Sequence, residues 1–84
     1  MKFTVKDMEV THNEWPRFVA QVCDSEAEMH HVAQDVRPMA GAVGVTGRRY
    51  LAVKEWIDAP DDDPSAIAHI ARLALDFWKE ETGQ

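Results

Sequence analysis

Glu55, Asp58, Asp61, Asp62 and Asp63 place five carboxylates within nine residues, with no basic residue among them. Two kinds of chemistry use such a stretch, divalent-cation binding and the docking of a basic partner. The stretch lacks the turn glycine and the distal glutamate of a calcium loop. Part of the cluster has a local explanation. Asp63 is a natural N-cap, Pro64 is a natural first helical residue, and carboxylates before a helix are stabilised by its dipole. Asp58 and Asp61 are not explained in this way, and their clustering raises repulsion. The loop is therefore the first candidate surface for a basic protein partner.

The other reactive side chains are scattered. His30 and His31 are neighbours, so on a helix they point about 100° apart and do not chelate one metal. His31 has Glu28 and Asp35 on its own helical face, where surface pairing suffices. His12 falls in a turn and His69 on a distant helix, and a single cysteine offers no zinc anchor. No metal or cofactor is expected. Cys23 ends a strand just ahead of a helix start, a position that can lower a thiol pKa. A nucleophile also needs a base and an oxyanion site. Neither is legible around Cys23, so a small packed thiol is expected. Ser25 and Ser65 occupy helix-cap positions. Gly41, Gly44 and Gly47 do not open a helix as a phosphate loop must. No catalytic residues are assigned.

Tyr50 and Trp56, near Arg48, Arg49 and Lys54, form a second candidate surface. Aromatic and basic residues on one sheet face can stack single-stranded nucleic acid, but Trp, Tyr and Arg are also the residues enriched at protein-binding hot spots.

The elements that must position these residues follow from periodicity. Residues 2–10 read as a strand whose alternation changes phase at Asp7, which predicts a bulge there. A turn through Pro16 leads to a second strand from Arg17 to Cys23. A one-sided helix runs from the Asp24–Ser25 cap to Arg37, before Pro38. A short strand from Ala42 to Val45 and a Thr46–Gly47 turn precede a long strand from Arg48 to Ile57. On this last strand Tyr50, Ala52, Lys54 and Trp56 share one face. The final helix runs from Pro64 to about Glu81. The expected fold is α+β in the order β-β-α-β-β-α, one domain over residues 1–84, with a four-stranded antiparallel sheet and both helices on one face.

The final helix is apolar around roughly 220° of its circumference, about twice what a one-sided helix needs. The sheet and the first helix account for most of this. Ala68 and Leu75, with Arg72 beside them, remain at the far edge as a possible homodimer seam.

Composition sets the limits. Fifteen acidic against nine basic residues give a net charge of −6, which disfavours direct contact with nucleic acid, where Lys and Arg supply the affinity. No apolar run approaches the ~20 residues of a membrane span. No signal peptide is legible, and a lone thiol suits a reducing cytoplasm. In size, acidity and lack of a catalytic motif the chain resembles small phage-encoded inhibitors such as anti-CRISPR proteins, a description that antitoxins and immunity proteins share. The resemblance is compositional, and no residue role is carried over from it. It implies a non-enzymatic inhibitor or regulator that occupies the basic groove of a nucleic-acid-handling protein as a nucleic-acid mimic. The alternatives are a self-assembling structural or adaptor protein pairing through the final helix and, last, an enzyme using Cys23 or a histidine.

Overall fold

The computed structural model describes residues 2–37, 41–43, 49–60 and 63–83. In chain order these form β1 (Phe3–Lys6), β2 (Glu9–His12), β3 (Phe18–Cys23), α1 (Glu26–Ala33), β4 (Gly41–Val43), β5 (Tyr50–Trp56) and α2 (Pro64–Thr82). The strands make one antiparallel sheet in the order β1-β2-β3-β5-β4. The α+β class, the antiparallel pairing and the two helices agree with the sequence reading.

The strand count differs. The phase change at Asp7 is a chain reversal and not a bulge, because Lys6 pairs with Glu9 and only Asp7 and Met8 lie between them. Asp7 takes a positive φ of 55°, as the first central residue of a hairpin turn of the primed types requires. Aspartate tolerates that conformation better than most residues. The indole N–H of Trp78 donates to the Asp7 carbonyl at 2.9 Å and ties the turn to α2.

Strand alternation places Phe3, Val5, Val10, His12, Phe18, Ala20, Val22, Leu51 and Val53 on one face of the sheet. α2 covers this face with Ala71, Ala74, Leu75 and Trp78, all buried, and with Ile67, Ile70, Leu73 and Phe77 around them. Each large side chain fully enclosed here contributes about 1.5–3 kcal/mol. One row of this face is a ladder of rings across four strands. Phe3, His12, Phe18 and Trp56 are successive cross-strand partners, with centroids 5.2, 5.1 and 5.3 Å apart, and Phe77 of α2 stacks on Phe3 at 5.6 Å.

Leu51, Ala52 and Val53 are consecutive and all fully enclosed. Successive strand residues point to opposite faces, so β5 is covered on both. The second cover is α1, whose Met29, Val32 and Ala33 pack with Cys23, Tyr50 and Ala52. The two helices therefore lie on opposite faces of the sheet, in place of the single face that the sequence pattern suggested. A crossover from β3 to β4 must pass over β5, and α1 is that crossover.

The helix ends follow local chemistry. Ser25 caps α1 by accepting from the Glu28 N–H at 3.1 Å. That helix stops at Ala33, short of the expected Arg37. Val36 N–H bonds back to the Ala33 carbonyl in a four-residue turn, and the Arg37 guanidinium donates to the carbonyls of Gln34 and Val36. Asp63 caps α2 by accepting from the Ser65 and Ala66 N–H groups, Pro64 opens the helix, and Gly83 closes it at φ 74°. A left-handed residue at that position favours glycine.

Candidate interaction surface

The acidic loop resolves into residues with different roles. Asp58 is not an unopposed charge. The Arg17 guanidinium donates to both its oxygens at 2.8 and 2.9 Å, and the Arg17 N–H adds a third bond at 3.0 Å. These hydrogen bonds, the side-chain ones first, hold the Asp58 carboxyl down at about 2. In turn the carboxylate raises the Arg17 guanidinium above its ordinary value. Asp63 is committed to its cap and Glu55 is exposed. Asp61 and Asp62 lie outside the described residues.

The aromatic candidates separate. Val19 pairs with Glu55 and Ala20 with Val53, so Lys54 is an extra residue in β5. Such a bulge reverses the alternation beyond it. Trp56 consequently joins the α2 face, edge-on to Phe18 with an interplanar angle of 69°, while Tyr50 packs with α1 on the other side. Both are half-buried. They do not form one platform. Arg49 is likewise engaged, paired with Asp24 and placed over the Trp78 ring at 5.5 Å, and Arg48 lies outside the described residues. Of the seam residues, Leu75 is enclosed in the core of its own chain, and Ala68 and Arg72 are exposed.

Cys23 is fully enclosed, and burial, followed by the nearby Glu28 charge, pushes its thiol up to about 11. That is the opposite of an activated nucleophile. Among the described residues no three His, Cys, Asp or Glu side chains converge as a metal set. No helix there is long and apolar enough to cross a membrane.

The residue that sequence reading undervalued is Trp15. It is 57% exposed, while its neighbour Pro16 is buried. The loop between β2 and β3 that carries it is tied down on every side. Asn13 N–H donates to the Lys2 carbonyl at 2.9 Å and the Asn13 amide to Thr4 Oγ1 at 2.7 Å. His12 Nδ1–H donates to the Pro16 carbonyl at 2.8 Å. The Ile57 and Asp58 N–H groups both donate to the Arg17 carbonyl, at 3.0 and 3.1 Å. Ile57, on the loop so joined, is 48% exposed. Two large apolar side chains thus stand in solvent on two loops stapled together by Arg17 and Asp58. Glu14, next to Trp15, and Glu55, two residues before Ile57, are both exposed. The sequence signal was the Trp15–Pro16 pair inside a turn. The clamp that fixes it joins residues 41 positions apart and left no local pattern.

His12 itself is 1% exposed between Phe3 and Phe18, and its Nε2 has no hydrogen-bond partner among the described residues.

No family model, curated protein or solved structure matches this chain.

Proposed function

We propose that this protein is a non-enzymatic binding module, an inhibitor or regulator that docks on a basic surface of a protein partner. The partner surface is of the kind that handles nucleic acid, so the module would compete with phosphate there in the manner of the small phage inhibitors it resembles. The observation that carries this reading is the pairing of an excess of carboxylates, net charge −6, with an exposed Trp15 on a loop held rigidly by hydrogen bonds. Tryptophan is among the residues enriched at the binding hot spots near the centre of protein interfaces. A negative surface steers association with a positive one. The enclosed, poorly ionised Cys23 supports a non-catalytic role.

The test is affinity capture with tagged protein from the source organism, followed by competition between the captured partner and DNA or RNA. A basic partner that is displaced by nucleic acid and eluted by salt supports the reading. A partner of acidic or neutral surface, whose capture ignores salt and nucleic acid, would sink it. Asp61→Lys together with Asp62→Lys tests the acidic loop without disturbing the Arg17 clamp, and unchanged capture would remove that loop from the surface.

A further inference from the structure

We infer that the contact point with the basic partner is Trp15, whose indole receives an arginine or lysine side chain while Ile57 supplies apolar area beside it. This rests on the reading of a basic partner given above. Two observations carry it further.

The first is preorganisation. An exposed tryptophan on a loose loop would lose conformational freedom on binding, at roughly 0.5–1.5 kcal/mol for each immobilised side chain and more for the loop itself. Here the backbone on both sides of Trp15 is already fixed. Buried Pro16 and its bond from His12 hold it from within, Asn13 ties it to β1, and the Arg17–Asp58 clamp ties it to the residues after β5. Little ordering remains for a partner to impose.

The second is charge. Arg17, the cation within the loop, is neutralised by Asp58. Glu14 and Glu55 have no cation paired with them among the described residues. Lys2 contributes its backbone carbonyl to the loop and is the nearby cation on the β1 side. Two exposed carboxylates without an ion-pair partner among the described residues, one next to Trp15 and one two residues before Ile57, therefore accompany the two exposed apolar side chains. A cation over an indole face is attracted by the ring quadrupole, and the carboxylates favour the same sign of charge. An acidic or purely apolar partner would leave both carboxylates unanswered.

The probes are two synthetic peptides, one alternating arginine and leucine and one with glutamate in place of arginine, titrated into the whole isotopically labelled chain. Trp15, Trp56 and Trp78 each give an indole N–H resonance, and Trp15→Phe assigns the first. The expected result is a saturable shift of the Trp15 indole and of amides 13–17 and 57–58 with the arginine peptide alone. The Trp78 indole, bonded to Asp7, stays fixed. Trp15→Ala should weaken binding tenfold or more while the remaining amide spectrum is unchanged, and Glu14→Lys with Glu55→Lys should weaken it severalfold. Saturable binding that shifts other residues and survives Trp15→Ala overturns the Trp15 assignment and leaves the basic-partner reading intact. If the arginine peptide produces no saturable shift anywhere, both fall together.

Discussion

Arg17 and Asp58 lie 41 residues apart, yet three hydrogen bonds join them, two from the guanidinium and one from the backbone N–H. This contact joins the β2–β3 loop to the residues after β5 and so fixes the relative position of Trp15 and Ile57. Its pH dependence follows from the depressed Asp58 carboxyl, about 2 in the folded chain against 3.8 in the unfolded one. A group lowered on folding contributes stability that is fully present above its unfolded pKa and is lost as pH falls through its folded pKa. The contribution should therefore be constant above about pH 4 and disappear by about pH 2. Chemical denaturation of the wild type and Asp58→Asn across that window should give curves that separate above it and converge below it. The pair is open to solvent, so the separation is small, and parallel curves throughout would deny the clamp a role in stability.

Asp63 has a structural role in this fold as the N-cap of α2. Asp63→Ala removes the acceptor for the Ser65 and Ala66 N–H groups and should cost about 1 kcal/mol, read from the denaturation midpoint. Asp63→Ser should recover most of the loss while lacking the charge. A binding defect that Asp63→Ser fails to restore would return Asp63 to the partner surface.

Leu75 separates core from seam. Leu75→Ala should cost about 2–5 kcal/mol, because the side chain is enclosed by its own chain. Exposed Ala68 should accept glutamate with a change within about 0.5 kcal/mol and no change in mass by light scattering. An Ala68→Glu variant of lower mass than the wild type would show that this edge does pair two copies.

His12 holds the ring ladder and the Trp15 loop together. His12→Ala opens a cavity between Phe3 and Phe18 and deletes the bond to Pro16, at a cost of about 3–5 kcal/mol by analogy with other large rings. His12→Phe keeps the ladder and also removes the unpartnered Nε2. It should cost no more than about 1.5 kcal/mol, the usual worth of one hydrogen bond. Equal losses in thermal or chemical denaturation would mean that the Pro16 bond, not ring packing, is what His12 provides.

These residues also mark where sequence reading reached and where it stopped. The start of α2 is legible because Asp63–Pro64 acts within one turn of the helix it opens, and Gly83, which closes the helix at φ 74°, is an equally local signal that the sequence reading does not use. The α+β class followed from periodicity alone. The alternation around Asp7–Met8 reads equally as a bulge, because a two-residue reversal and a bulge both invert alternation and no glycine or asparagine marks the turn. Placing α1 required knowing that β5 inserts between β3 and β4, which is a matter of strand order and has no local signature. The same holds for Asp58, whose cation precedes the neighbouring strand and is 41 residues away in sequence, and for His12, whose two aromatic neighbours, Phe3 and Phe18, come from two other strands.

The extra residue at Lys54 has a consequence for how this sheet can change. Residues before it in β5 are read by the helix layers in one parity and residues after it in the other, so the strand works as two short segments with independent inside and outside. Substitutions near Trp56 and the Trp15 loop are thereby uncoupled from the packing of Tyr50 and Ala52 beneath α1. One end of the molecule can vary its exposed surface while the two-sided centre of β5 keeps its composition.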